Sequence, residues 1–261
     1  MTKLTQDNYF NCNNGYLTNS KIGDYLKCPN YFYRKHILCT VERKTTPAMR
    51  IGSTVDSLLT QDKIKELYWV GDGRSKEAKE KKEEGFEVIN ENTYQAMMDI
   101  AIAVEETDAY KELKDFTRQD ILTIDVGIGK HFMGVAGIPD FYKYDAKKRL
   151  VTVVDLKTAA NLSKRKYYYH CLEYGYFRQQ AIYQLLLADK FPEAKSFVSY
   201  HLVVDKTKDI YNVETYELDQ DEVEYEATNL PSLFEKIGNE KDFKKYNPSF
   251  KKAEILGEQY V

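Results

Sequence analysis

The stretch that decides the fold reads Gly134-Val135-Ala136-Gly137-Ile138-Pro139-Asp140-Phe141-Tyr142-Lys143-Tyr144, then a polar turn over residues 145–149, then Leu150-Val151-Thr152-Val153-Val154-Asp155-Leu156-Lys157-Thr158. β-Branched and aromatic residues dominate both halves, so the pattern predicts two neighbouring strands joined by a turn. Side chains alternate between the two faces of a strand, so Asp155 and Lys157 point the same way and Leu156 points into the core. The sequence therefore predicts an acid and a lysine on one face at the end of an apolar strand.

Pairing of these strands would bring together two carboxylates, those of Asp140 and Asp155. Carboxylates at short range repel each other unless a cation lies between them, and their hard oxygen atoms suit Mg²⁺ or Mn²⁺. A lysine beside them, here Lys157, can orient a metal-bound water and offset negative charge on a phosphoryl transition state. An isolated Asp-x-Lys is more often a pair of surface residues, so the interpretation depends on the rest of the chain.

Further motifs occur in a fixed order around this stretch. Upstream lie Ser20, Tyr25, Cys28-Pro29 and the aromatic run 31–33, followed by the segment 52–59, and downstream lie Gln179 and Tyr183. Together with Asp140 and Asp155-Leu156-Lys157-Thr158, this order over residues 18–190 resembles the RecB-like branch of the PD-(D/E)xK nuclease superfamily. Within the branch, the layout is most similar to phage-type exonucleases with an exonuclease VIII-like nuclease domain.

The resemblance implies an α/β fold in which a mixed sheet is flanked by helices, a restriction-endonuclease-like PD-(D/E)xK core with a helical N-terminal region. We expect residues 1–261 to form a single nuclease domain. Its mainly helical part, residues 1–118, carries Asp56; residues 119–218 form the catalytic sheet core; residues 219–261 form a C-terminal helix and tail.

Periodicity adds detail to this outline. Strands are predicted over residues 121–128, 132–144 and 150–157 in one sheet, which a hairpin of residues 196–204 and 210–218 extends. A helix over residues 173–190 places Gln179 and Tyr183 on one face. A helix over residues 219–237 is expected to break near Pro231.

The resemblance also implies roles for individual residues. Asp140, Asp155 and the backbone carbonyl of Leu156 hold Mg²⁺ or Mn²⁺, Lys157 positions the attacking water, and Gln179 and Tyr183 support the site. The helix of residues 49–60 carries Asp56 where such nucleases usually present a histidine. Asp56 is either a further metal ligand or a solvated helix residue, and the sequence leaves both readings open.

A basic and aromatic segment follows the Asp-x-Lys strand, beginning with Lys164, Arg165, Lys166 and Tyr167. Lysines pair with phosphates and tyrosine rings stack on bases, so we predict a DNA-binding loop here. A solvated loop with partly buried rings is the equally open alternative. Some relatives carry an acid just before the first strand of the sheet, at the position of Gln119 or Asp120, but we assign neither residue to the site.

Four cysteines, Cys12, Cys28, Cys39 and Cys171, include no Cys-x-x-Cys pair, so no zinc site is predicted. Some members of the branch hold an iron–sulfur cluster through one early and three late cysteines. No cysteine follows Cys171, so we predict no iron–sulfur cluster. We expect reduced thiols and a cytoplasmic location, because the sequence shows neither a signal-peptide pattern nor an apolar run of bilayer length.

We therefore predict a metal-dependent DNA exonuclease that hydrolyses phosphodiester bonds in phage-type recombination or DNA processing. The net charge of −3 argues only weakly against DNA, because local potential steers phosphate. The resemblance suggests a single-strand annealing recombination protein as a partner and a homo-oligomeric ring, without a membrane. The alternatives are a structure-specific or single-strand endonuclease, a non-catalytic DNA- or partner-binding scaffold, and an enzyme acting on RNA.

Overall fold

A computed structural model describes residues 4–41, 47–61, 68–206 and 211–239 of the chain. The helices in these ranges are α1 (Gln6–Tyr9), α2 (Asn19–Lys27), α3 (Pro29–Phe32), α4 (Pro47–Gln61), α5 (Lys76–Glu83), α6 (Glu91–Glu105), α7 (Asp108–Lys111), α8 (Lys164–Tyr174), α9 (Tyr176–Lys190) and α10 (Gln220–Gly238). A π-helical turn (Tyr33–Ile37) follows α3, and a 3₁₀ turn (Glu112–Asp115) follows α7. Most of the described residues before residue 118 are helical.

The strands are β1 (Tyr16–Leu17), β2 (Tyr68–Val70), β3 (Glu87–Ile89), β4 (Thr117–Arg118), β5 (Leu122–Ile128), β6 (Phe132–Gly137), β7 (Phe141–Asp145), β8 (Leu150–Ala159), β9 (Ser196–Asp205) and β10 (Val213–Glu217). The largest sheet has the order β10-β9-β8-β7-β4, a second has the order β1-β6-β5, and β2 pairs with β3. In the largest sheet β8 pairs antiparallel with β7 and parallel with β9, with α8 and α9 forming the crossover. The predicted fold of a mixed sheet flanked by helices is confirmed.

Strand β8 is covered on both faces. Val151 and Val153 are fully buried in a cluster with residues of α9, among them Ala181. On the opposite face Val154 packs with Val55 of α4 in a second cluster, which also receives residues of α6. Because helices cover both faces, the end of β8 that carries Asp155 lies inside the protein rather than on its surface.

The predicted strand over residues 132–144 is wrong in one respect, because it is divided at residues 138–140. Pro139 lacks an N–H group and cannot donate to a strand ladder. The first half becomes β6, which pairs with β5 and β1, and the second half becomes β7 in the larger sheet. The expectation of one continuous sheet is therefore corrected to two sheets that meet at the segment preceding Asp140.

The helix predicted for residues 173–190 is confirmed over residues 176–190, but it begins later than expected because a separate helix ends at Gly175. This glycine has φ +64°, a left-handed conformation that ends α8 and starts α9. In contrast, the helix break expected near Pro231 does not occur, and α10 runs through it. Val223, Leu230 and Ile237 of α10 are buried, and this packing holds the helix together across the proline.

The expectation that all thiols are reduced is wrong for one pair, since Cys12 and Cys39 form a disulfide with a Cα–Cα distance of 5.8 Å. The residues are 27 positions apart in sequence, and the intervening helices α2 and α3 return the chain to its starting point. Cys28 and Cys171 are free. Within the described ranges, no helix has both the length and the apolar character required to cross a membrane. The predicted tail and the tip of the β9–β10 hairpin lie outside the described residues.

Candidate active site

Asp140 lies directly before β7 and faces the end of β8 that carries the Asp-x-Lys motif. Phe141 pairs with Val154 across the two strands. The backbone N–H of Leu156 donates a hydrogen bond of 2.8 Å to Asp140 Oδ2. The side chain of Asp140 is thus fixed against the backbone between Asp155 and Lys157, which confirms that these strands are neighbours.

The Leu156 carbonyl faces the same side of β8 as Asp140. In an extended strand the N–H and C=O groups of one residue point in the same direction, and the Leu156 N–H points at Asp140. Residue 156 lies beyond the last β7–β8 pair, Phe141 with Val154, on that side. The carbonyl oxygen is therefore directed at the region occupied by the Asp140 carboxylate.

Asp155 and Lys157 point to the same face of β8, as predicted, and their side chains form an ion pair. The side chain of Asp155 is 1% exposed and that of Lys157 is 13% exposed. Burial lowers the pKa of Lys157, an effect that the charges of Asp140 and Asp56 oppose. The Lys157 ammonium also lies 4.8 Å from the centre of the Tyr176 ring.

Asp56 approaches the same region from α4, where Gly52 lies against Thr158 of β8. Burial first, and the negative charge of Asp140 second, raise the pKa of Asp56 to about 8. Burial also raises the pKa of Asp140, against the effect of Lys157 and of the Leu156 N–H. Asp56 is therefore not a freely solvated helix residue, because it is partly buried and Gln119 links its carboxyl group to that of Asp140.

Gln119 joins these two carboxyl groups. Its Nε2 atom lies 3.0 Å from Asp140 Oδ1 and 3.3 Å from Asp56 Oδ1. Its backbone has φ +49°, which is uncommon for a residue other than glycine, and its N–H donates to the Asp140 carbonyl. Strained backbone of this kind concentrates at functional sites. Asp120 instead accepts hydrogen bonds from Tyr142 and Lys190 and is turned away from the carboxyl pair.

The sequence pointed to the position of Gln119 without assigning it. An amide there does not match the acid of some relatives, and a positive φ is not visible in the sequence. The structure shows why an amide is useful: a neutral donor bonds to both carboxyl groups without adding a third negative charge. We regard Gln119 as the functional residue that sequence reasoning missed.

Tyr183 and Gln179 act on the segment that leads into Asp140. The Tyr183 hydroxyl donates to the Ile138 carbonyl at 2.9 Å and accepts from Gln179 Nε2 at 2.8 Å. A Cβ atom at Gly137 would lie 2.9 Å from the Tyr183 ring, so only glycine permits this approach. The pair holds the turn at Pro139 in place.

The oxygen atoms present suit a hard cation. Within the described ranges, no three His, Cys, Asp or Glu side chains are arranged to hold a metal ion. The Asp155 carboxylate is paired with Lys157, while Asp56 and Asp140 converge on Gln119. Two buried carboxyl groups with raised pKa values require either a proton or a cation between them. Asp56, Asp140 and the Leu156 carbonyl therefore fit a divalent metal, and Asp155 completes the set if it turns from Lys157.

The basic segment differs from its predicted form. Lys164, Arg165 and Lys166 are exposed but lie in the first turn of α8 rather than in a loop. Tyr167 is 2% exposed, its hydroxyl bonds to His201 Nδ1 at 2.7 Å, and its ring stacks on Tyr216. Because the ring is enclosed in the core, Tyr167 offers no face to a base in this structure.

A buried Asp-x-Lys strand, an antiparallel neighbour led by Asp140 and a helix carrying a further acid define the class of PD-(D/E)xK-like domains. The resemblance found in the sequence is confirmed. The chain belongs to the family described as PDDEXK-like domain of unknown function (DUF3799), whose model matches residues 18–249.

Solved structures were compared with this chain, and one of them shares its fold. The crystal structure of a "Putative exonuclease" from Eubacterium rectale is similar with a TM-score of 0.65 at 16% identity, over 100% of this chain and 97% of that chain. The crystal structure of a phage related exonuclease from Haemophilus somnus 129PT matches with a TM-score of 0.31 at 10% identity, over 85% and 94% of the two chains. No curated protein matches the chain.

Proposed function

We propose that this protein is a metal-dependent deoxyribonuclease that degrades DNA from its ends. One observation carries the proposal: Asp140 is hydrogen-bonded to the backbone of β8 between Asp155 and Lys157, and Gln119 links it to Asp56. Family membership supports the nuclease class. The structural likeness to a protein described as a "Putative exonuclease" supports the exonuclease assignment.

The metal would be held by Asp56, Asp140, Asp155 and the Leu156 carbonyl. When bound, Mg²⁺ or Mn²⁺ supplies a Lewis acid for the phosphoryl oxygen and a water of lowered pKa.

The chain's own residues prepare the site for an anionic substrate. Lys157 keeps a buried ammonium beside the carboxyl groups, where it offsets negative charge as it develops on the phosphoryl group. Asp155 pairs with Lys157 and sets the direction of that side chain until its carboxylate turns to the metal. Gln179 and Tyr183 hold the turn that presents Asp140, so their effect on the reaction is one of positioning.

The exposed first turn of α8 supports DNA as the substrate. Lys164, Arg165 and Lys166 place positive charge on the surface just after β8, where it can pair with backbone phosphates. The finer parts of the proposal are a role in phage-type recombination, a single-strand annealing protein as partner and a homo-oligomeric ring. Those parts rest on the resemblance alone.

The deciding experiment compares linear and covalently closed double-stranded DNA with Mg²⁺, with EDTA, and with three variants. Lys157→Ala and Asp155→Asn remove the proposed machinery. Lys147→Ala removes an exposed lysine in the turn between β7 and β8. We expect metal-dependent loss of linear DNA only, reduced at least about 100-fold in the first two variants and unchanged in the third.

Each other result has a definite meaning. Cutting of the closed circle would support an endonuclease instead, and cutting of RNA alone would change the substrate. Absence of cutting by the wild type would favour a binding scaffold. Equal activity of all variants would refute the assignment of the site.

A further inference from the structure

A cleft of about 480 Å³ opens beside Asp56 and Lys157, between α4, the end of β8 and the junction of α8 with α9. Its far side is formed by His170, Tyr174 and Tyr176, with Lys206 at the end of β9. The proposed nuclease mechanism assigns no role to these four side chains. The volume lies within the range of small-molecule sites and is far too small for a double helix.

The three rings, which we call the aromatic wall, contact one another. His170 and Tyr174 have ring centres 4.4 Å apart, and Tyr174 and Tyr176 stack at 5.9 Å with planes inclined by 29°. Tyr176 continues to the active site, since Lys157 lies over its ring. Tyr174 remains 48% exposed and lines the cleft, so part of its ring is accessible to a molecule that enters.

Positive charge accompanies the aromatic wall. Burial lowers the pKa of His170, the charge of Glu173 opposes this effect, and the charges of Lys206 and Lys157 add to it, so the ring is neutral near pH 7. Lys166, His170 and Tyr174 follow one another at intervals of four residues along α8 and so share a face of that helix. The lining of the cleft therefore combines aromatic rings with the ammonium groups of Lys157 and Lys206, beside the carboxyl group of Asp56.

This combination suits one chemical class of occupant. Single-stranded nucleic acid is held by rings that stack on bases and by cations that follow the phosphates. A base in a duplex has its faces covered by neighbouring pairs, so a ring can stack only on a base that has left the stack.

We propose that the aromatic wall binds an unpaired nucleobase at the end of a DNA strand, next to the catalytic lysine. The inference rests on the proposed function in that it treats the cleft as the substrate side of the active site. It goes further by naming the form of DNA that enters: a frayed or single-stranded end.

Binding without catalysis tests the inference. The affinity of a short single-stranded oligonucleotide is measured in EDTA, with 2-aminopurine as its terminal base so that stacking quenches fluorescence. We expect Tyr174→Ala to weaken binding roughly 5- to 150-fold and to abolish the quenching, the range that base–aromatic stacking predicts. Tyr174→Phe keeps the ring and should retain both. Tyr225→Ala removes an exposed tyrosine of α10 outside the cleft and is the matched control.

A second arm distinguishes stacking from a general loss of affinity. The wild type should bind an oligonucleotide with an abasic terminal position more weakly than the normal strand. The factor should equal the loss of affinity that Tyr174→Ala causes with the normal strand. The Tyr174→Ala protein should bind the abasic oligonucleotide no more weakly than either change alone predicts, because both changes remove the same contact. Additive losses, an unaffected Tyr174→Ala protein, or a wild type that binds no single strand would each overturn the inference. These outcomes leave the nuclease proposal standing, because that proposal is tested by cleavage with Lys157→Ala and Asp155→Asn.

Discussion

The Gln119 amide lies 3.0 Å from Asp140 Oδ1 and, through the same nitrogen, also donates to Asp56. One neutral residue thus bonds to two carboxyl groups that would otherwise face each other directly. Residues that orient metal ligands typically contribute 10–100-fold to metal affinity. We expect Gln119→Ala to weaken Mn²⁺ binding by about that factor, which calorimetric titration measures.

The variant Gln119→Glu separates the two roles of this side chain. A third carboxylate adds an oxygen ligand but no donor, so the metal-free protein should be less stable than wild type near neutral pH while metal binding is preserved. Thermal unfolding in EDTA and in Mn²⁺ measures both effects. This account would be contradicted if Gln119→Glu bound Mn²⁺ more weakly than wild type while Gln119→Ala bound it equally well.

The pKa of Asp56 predicts how stability depends on pH in the metal-free protein. An unfolded aspartate has a pKa near 4, and burial, followed by the charge of Asp140, raises the folded value to about 8. The folded state therefore retains a proton that the unfolded state loses. The free energy of unfolding should fall as pH rises from about 4 to about 8, by at most about 1.4 kcal/mol per pH unit.

Replacing the carboxyl group by an amide removes this titration. In EDTA we expect Asp56→Asn to show a flatter pH profile and to be more stable than wild type at pH 8. Denaturant unfolding at several pH values measures the difference. Parallel profiles for the two proteins would show that Asp56 does not carry the shift.

The hydrogen bonds of Tyr183 should affect cleavage by holding the segment that positions Asp140. Tyr183→Phe leaves the Ile138 carbonyl without its donor and Gln179 without its acceptor, so we expect a loss of about 1–3 kcal/mol of stability. Because the segment that loses its support leads into Asp140, the cleavage rate should fall without a change in the metals used. Gln179→Ala removes only the outer bond and serves as the milder control. Equal stability of Tyr183→Phe and wild type would contradict the role assigned to this hydrogen bond.

Gly175 and Gly127 form a matched pair for testing the junction of α8 and α9. Both have positive φ, +64° and +59°, so alanine strains the backbone similarly at each. Of these two positions, only at Gly175 would a Cβ atom clash with a neighbour, the Arg178 guanidinium, whose Nε donates to Asn19.

Gly175→Ala should therefore destabilise the protein more than Gly127→Ala does, by roughly the 1.5–3 kcal/mol of a charged hydrogen bond. Denaturant unfolding of the two variants gives this difference directly. Equal losses would show that Arg178 moves aside without cost.

The parts of the fold that follow local pattern were predictable. The β7–β8 hairpin, the shared face of Asp155 and Lys157, and the helix with Asp56 follow from alternation and helical spacing. Residues 132–144 were read as one strand because their apolar character is continuous, although Pro139 divides them between two sheets. Pro139 marks the position of the break, but the pairing of each half with a different sheet depends on tertiary contacts that the segment itself does not encode.

The site was predictable in its acids and lysine but not in its surroundings. Gln119 depends on a positive φ and on the approach of α4, both consequences of long-range packing. The Cys12–Cys39 disulfide depends on how α2 and α3 return the chain. Tyr167 resembles a surface ring in sequence, yet it fills the space beside His201.

The parallel pairing of β8 with β9 has a consequence for the order in which the chain becomes active. β9 begins at Ser196, after both crossover helices, so β8 lacks its neighbour on that side until this late segment has been synthesised. Contacts between distant segments form slowly, because a long loop must close first. We expect the emerging polypeptide to be harmless to nearby nucleic acid, since the groups that would cut it are assembled only when most of the chain has left the ribosome.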